Sequence, residues 1–413
     1  MSAVRASAYL AAMETRPPIE AAKVAGEEPK LAPLVLATIA SQGLLVTLSP
    51  TTVAIGRDLG ASVAAVGQAR SVSASVAIVA SLAILRRIDS LGVARLLSVG
   101  AALAIVACAA VSLAPTLALF LTAHVLVGLA FACLLSAGFA GVATFAPGRR
   151  PWAVGYVAGA NAVAWIVVLP VVGSLTEWLS WRAAEVVPAA IAVAALLPAP
   201  AVALAPNQPD AAELSTLLRA RSARRWLGAE VIAYGAWTAL LTFVGAFFIE
   251  RLGVPEAAAG WLLAMGAAAH LIASTRSRTL VNLVPRRRLA AGSALIMAIL
   301  LFVLLRLTTS APLAVATFCL VGFAAGVRSP TSSALGLEQL PRHPGAMMAA
   351  RTAATQLGYL LGAVVGGAVI SHGGYGTLGI VLAIGMAASA LLILRVDDRL
   401  EAPPRKVMGS PRS

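Results

Sequence analysis

The stretch Val99–His124, VGAALAIVACAAVSLAPTLALFLTAH, runs for 26 residues without an Asp, Glu, Lys or Arg. About 20 apolar residues cross the ~30 Å hydrocarbon core of a bilayer. Reading the helix breakers divides this run between two spans, near 91–113 and 117–146. The whole chain repeats the theme. It has 413 residues, 60% hydrophobic and 12% charged, about half the charged share of a soluble domain. Such a composition defines a polytopic membrane protein and excludes a secreted domain, a disordered chain and a nucleic-acid binder.

Apolar windows bounded by breakers give ten further spans. They lie near 31–54, 62–85, 152–175 and 183–205, then near 227–249, 256–278, 289–309, 311–337, 346–371 and 376–395. The expected organisation is a cytosolic tail (1–30), a six-helix bundle (31–205), a basic cytosolic linker (206–226), a second bundle (227–395) and a cytosolic tail (396–413). The linker carries Arg219, Arg221, Arg224 and Arg225. The first 30 residues lack the short apolar core of a signal peptide. With the N-terminus in the cytosol, 24 of the 31 Lys and Arg fall on the inside, and only Arg57, Arg182, Arg251 and Arg306 fall outside. This positive-inside bias accounts for the net charge of +14 without nucleic acid.

The three cysteines, Cys108, Cys133 and Cys319, all sit in apolar runs, so neither a disulfide framework nor a metal knuckle is expected. No HExxH, no CxxC and no Gly-rich loop ending in Gly-Lys-Ser/Thr occurs. An enzyme, a cofactor and a nucleotide-driven motor are therefore not expected.

Self-comparison brings out an internal repeat. Asp89-x5-Arg95 matches Asn282-x5-Arg288, and Val171-Val172-Gly173 matches Val364-Val365-Gly366, both at a shift of 193. Gly128 and Pro147 match Gly322 and Pro341 at 194. An even number of spans per half leaves both halves in the same orientation, so the repeat is parallel.

Six plus six spans around a basic loop resembles the major facilitator superfamily, and local motifs carry the resemblance. The loop Ala83-Ile84-Leu85-Arg86-Arg87-Ile88-Asp89-Ser90-Leu91-Gly92-Val93-Ala94-Arg95 keeps the Asp, Gly and Arg of the family's G-x-L-a-D-r-x-G-r-r-r pattern but loses its first Gly. In span 4, His124-Val125-Leu126-Val127-Gly128 stands where family exporters have R-x-x-q-G. In span 5 only Pro170 and Gly173 of the exporter pattern g-x-x-x-G-P-x-x-G-G survive. Span 11 keeps Gly358, Gly362, Gly366 and Gly367 and departs at Ala363. The family implied is most like the 12-span drug or sugar efflux permeases. The implied fold is all-α, with twelve transmembrane helices in two parallel six-helix bundles, spans 3, 6, 9 and 12 outermost. The resemblance also implies a gating loop at Asp89, Gly92 and Arg95, against the plain alternative of a solvated turn.

Ionisable groups inside spans are costly and usually face a cavity. The candidates are Arg70, His124, Glu230, His270, Arg328 and Arg351. Glu230, barely a turn inside the expected span 7, has snorkelling to the interface as its plain alternative. On span 7, Tyr234, Thr238 and Thr242 continue the face of Glu230 at four-residue steps, flanked by Trp237. Gln42 in span 1, Asn161 and Trp165 in span 5, and Gln356 and Tyr359 in span 11 complete the expected cavity lining with Arg70, His124, His270 and Arg328. Interhelical hydrogen bonding is the alternative role for any one of them. His124, Glu230 and His270 are the proton-coupling candidates, because buried carboxylates and His can titrate near working pH. Glycines four apart let helices approach closely. Gly358, Gly362 and Gly366, with Gly367, Gly173 and Pro170, are expected packing positions, and Gly155 and Gly159 a shorter row.

The resulting expectation is a secondary transporter working by alternating access, a proton-coupled antiporter exporting a small amphipathic drug-like or sugar-like molecule. It would act as a monomer in the cytoplasmic (inner) membrane, with the lipid bilayer, protons and a small-molecule substrate as partners. Three in-span Arg against one Glu motivate an organic-anion carrier as the alternative. A non-transporting receptor or scaffold is the alternative from another class.

Overall fold

The computed structural model describes residues 30–145, 149–196, 219–339 and 344–398, except the side chains at 85–91, 143, 150–151, 278, 282, 344–346 and 348–349. Among the described residues the protein is entirely helical. Its segments are α1 (Ala32–Leu59), α2 (Val63–Leu91), α3 (Val93–Ser112), α4 (Leu117–Ala140), α5 (Arg150–Trp178) and α6 (Val186–Ala195). The second set is α7 (Arg221–Ala246), α8 (Glu256–Leu283), α9 (Arg286–Phe302) and α10 (Ala311–Leu337). The last stretch, Pro344–Leu394, breaks at Gly374 (φ 68°, ψ −172°) into α11 (344–373) and α12 (375–394). That left-handed φ is open to Gly at no steric cost, and it turns the chain back across the bilayer.

Two cores form, the second taking in Val46, Val168 and Leu169 of the first half where the halves meet. Leu34, Leu97, Phe120 and Leu134 anchor the first, and Trp226, Phe243, Phe248 and Phe318 the second. Helices α3, α6, α9 and α12 each leave large apolar side chains bare, among them Val106, Val193, Ile299 and Ile384. Exposed apolar faces of this kind suit contact with lipid.

The halves repeat in their contacts. A Cβ on Gly128 would lie 2.5 Å from the Ser73 carbonyl oxygen, and one on Gly322 2.4 Å from that of Gly266. So α4 rests on α2 as α10 rests on α8. Likewise Gly141 abuts Leu34, and Gly336 abuts Trp226. The halves also run the same way. Late α1 meets late α7, where a Cβ on Gly245 would be 2.3 Å from the Ser49 oxygen. The two bundles are therefore parallel.

Three seams join them, all toward the face opposite the helix ends that carry the Lys- and Arg-rich loops. Besides α1–α7, α5 meets α8 at Gly173 and Gly260, whose added Cβ atoms would sit 2.6 Å from the Glu256 oxygen and 2.4 Å from the Leu169 oxygen. The third seam is α2–α11, where Gln68 Nε2 donates to the Ala363 carbonyl at 3.4 Å and lies against Gly367. Within the second half, Gly358 and Gly362 let α11 press on the α7 backbone at Val231 and Gly235.

Several expectations change. Helix α7 begins at Arg221, inside the expected linker, because Trp226 is fully buried and its Nε1 donates to the Ser332 carbonyl at 3.0 Å. Gly155 and Gly159 are not a packing row in this conformation, since nothing lies within 4 Å of a Cβ at either. Helix α2 runs through Asp89 to Leu91, and Gly92 (φ 71°) makes the turn into α3. The Asp89 side chain lies outside the described residues, and Arg95 is exposed. The 206–218 part of the linker and both tails (1–29, 399–413) also lie outside them.

A polar central cavity between the halves

Between the bundles lies a cavity of about 630 Å³, lined from α1, α2, α4 and α5 on one side and mainly from α7, α8, α10 and α11 on the other. The seams close it at one end, and it opens toward the basic face.

Its charge comes from three arginines. Arg70, on α2, is 7% exposed; its Nη1 donates to the Leu45 carbonyl at 3.1 Å, and its guanidinium lies 5.6 Å from the Tyr359 ring centroid. Tyr359 meets Tyr234 edge-on at 5.9 Å. Arg351 closes this row, with Nη2 donating to the Tyr234 hydroxyl at 2.7 Å. The Tyr234 hydroxyl also lies 3.2 Å from Ser329 Oγ. Two guanidinium groups thus flank a tyrosine pair on one wall, where cation–π attraction helps hold them.

Glu230 does not snorkel. It is 0% exposed, because the early start of α7 puts it nine residues, about 13 Å, past the helix N-terminus. Arg328 Nη2 donates to its Oε1 at 2.6 Å, Ser332 Oγ to the same oxygen at 2.9 Å, and Arg351 Nε lies 3.3 Å from Oε2. Its charge is therefore matched behind the cavity wall. Among the described residues no carboxylate stands within ion-pair distance of Arg70.

Toward the α5–α8 seam the lining turns aromatic. Trp237 stacks on His270, with ring centroids 5.9 Å apart and planes inclined by 28°. Trp165, on α5, packs on the core cluster that joins Val168 and Leu169 of its own helix to the second half. Gln42, Asn161, Thr238 and Gln356 line the same cavity.

His124 does not. Its ring packs on Phe120 at 4.5 Å and its Nδ1 lies 2.8 Å from the Phe120 carbonyl oxygen, inside the first bundle. It shares a helical stripe with the cavity residue Phe131 but stands seven residues, about 10 Å, nearer the closed end. Ser329, Ser333, Thr352 and Thr355 line the cavity without having been expected there, and Arg351, singled out as an in-span charge but not in the expected lining, lines it too. Arg351, Thr355 and Tyr359 recur every four residues on one face, a signal that was legible.

At the closed end, Arg57 Nη1 pairs with Glu256 Oε1 at 3.2 Å, and the Ala257 N–H donates to Glu177 Oε2 at 2.8 Å. Both contacts bridge the halves.

A lipid-facing helical shell around a polar cavity, shut at one end, is the architecture of a membrane solute carrier. The model of the Major Facilitator Superfamily matches twice, over residues 34–229 and 226–413. The chain belongs to the Major Facilitator Superfamily of transporters. Two solved structures of a peptide transporter POT, a glutamate-to-glutamine mutant with and without sulfate, are similar to it. Both have a TM-score of 0.71, with 13% and 12% identity, over 90% and 89% of this chain and 96% and 94% of theirs. At that identity the likeness shows the fold. The search of curated proteins finds no match.

Proposed function

We propose that this protein is a secondary transporter of a small organic anion, working by alternating access and standing here in the state open to its basic face. The observation that carries the reading is the charge balance of the cavity. Glu230 is consumed by Arg328 and Arg351, while Arg70 faces the cavity without a carboxylate. A carboxylate-bearing solute would supply the missing partner, with the planar guanidinium forks suited to bidentate contact. By the charge bias of its loops the open face is cytosolic, as are both termini and the linker between the two domains. The protein would work as a monomer in the cytoplasmic membrane.

Proton-coupled antiport of a drug-like or sugar-like solute is the second reading. It is favoured by one observation, a buried carboxylate wedged between two arginines at the cavity wall. Glu230 and His270 are its coupling candidates; His124 lies outside the cavity and loses that role.

Flux into proteoliposomes separates the readings, using anionic, neutral and cationic solutes with and without an imposed pH gradient. Anion-selective flux that Arg70→Gln abolishes supports the first. Flux confined to neutral or cationic solutes, indifferent to Arg70→Gln, overturns it.

A further inference from the structure

The cavity is polarised between its two lateral seams. On the α2–α11 side stand the guanidinium groups of Arg70 and Arg351 with their tyrosines. On the α5–α8 side stand Trp165, Trp237 and His270. The two ends are close. On α7, Tyr234, which holds Arg351, and Trp237, which stacks on His270, are three residues apart, about 4.5 Å of rise.

We infer that the substrate is an aromatic carboxylate, its charge met by Arg70 and Arg351 and its ring seated against Trp237, Trp165 and His270. This rests on the anion reading above and narrows it. Three features carry it. Trp237 and His270 already stack, with planes 28° apart, and since offset stacking is a preferred aromatic contact a third ring can extend that stack. Trp165 comes from the other half, so a ring against it touches both bundles. With Tyr234 and Trp237 a single turn apart on α7, a substrate whose anionic group is joined to its ring directly or through a short link suits the site. A cavity of about 630 Å³ falls in the usual range for small-molecule sites.

The test is calorimetric titration of the full-length protein in lipid nanodiscs with 3-phenylpropionate, hexanoate and 3-phenylpropylamine. The expected result is 3-phenylpropionate binding about ten-fold tighter than hexanoate. Trp237→Leu should weaken 3-phenylpropionate by about ten-fold and hexanoate by less than about two-fold, and Trp237→Phe should keep most of the advantage. Equal binding of the two acids, or an equal loss of both in Trp237→Leu, overturns the aromatic inference and leaves the anion reading standing. Tighter binding of the amine than of either acid, or binding of neither acid, overturns both.

Discussion

Arg328 and Glu230, 98 residues apart in sequence, meet at 2.6 Å between α10 and α7 with side chains only 5% and 0% exposed. The pair locks two helices of the second bundle at the height of the cavity, and Arg351 brings α11 to the same carboxylate. Replacing such a pair whole can be harmless, whereas removing one partner strands a buried charge.

Glu230→Met should therefore lower stability by about 3 kcal/mol, read as thermal unfolding in detergent. Glu230→Met combined with Arg328→Met should recover most of the loss. A double variant no more stable than the single one would show that the two charges are not coupled.

The repeat makes a paired prediction. A Cβ on Gly336 would lie 2.1 Å from Cζ2 of Trp226, a fully buried indole held by Ser332. A Cβ on Gly141 would meet the terminal methyls of Leu34, an equally buried but smaller side chain. Gly336→Ala should cost about 2–3 kcal/mol and Gly141→Ala about 1 kcal/mol, measured side by side by thermal unfolding. Equal costs would mean the indole yields as readily as the leucine.

At the closed end, Arg57 and Glu256 approach across the halves with Arg57 largely exposed, so the pair itself contributes little. Under the proposed alternating access it marks a distance that changes during transport. Arg57→Cys with Glu256→Cys, joined by a short bis-maleimide, should stop flux in proteoliposomes by at least about ten-fold, while either single cysteine transports normally. Undiminished flux in the linked protein would show that this end stays shut throughout the cycle.

Neutralising Arg70 should be felt by anions alone. Arg70→Gln should raise the half-saturating concentration for a carried anion by about ten-fold or more, the loss of a charge-assisted contact. Arg70→Lys should fall between, since an ammonium keeps the charge and loses the fork. Concentration-dependent uptake of a radiolabelled anion gives the readout, and a variant series without that order would count against direct contact.

Much of the architecture could be read from residue order because membrane spanning is decided by sums over some twenty residues, which tolerate errors at any one. The side of a helix that meets the cavity is a finer matter. His124 and Phe131 share a stripe, and their heights along α4 decide that the second reaches the cavity and the first does not. The depth of Glu230 was hidden because Arg219–Arg225 reads as a solvated basic loop, yet from Arg221 it is helix. Arg351 is visible as an in-span charge, but its pairing with Glu230 and Tyr234 arises only when α11 seats on α7 through Gly358 and Gly362.

Gly155 and Gly159 share a face of α5 with Gly173, at helical spacing, yet touch nothing while Gly173 is pressed on α8. Under the proposed alternating access, those glycines would offer contact surface for the other state. Side chains added there would leave the present conformation untouched and weigh only on the other. Their effect would appear as a shift in occupancy, tenfold for each ~1.4 kcal/mol of crowding. The resting structure would be silent to such a change, and the turnover rate would register it.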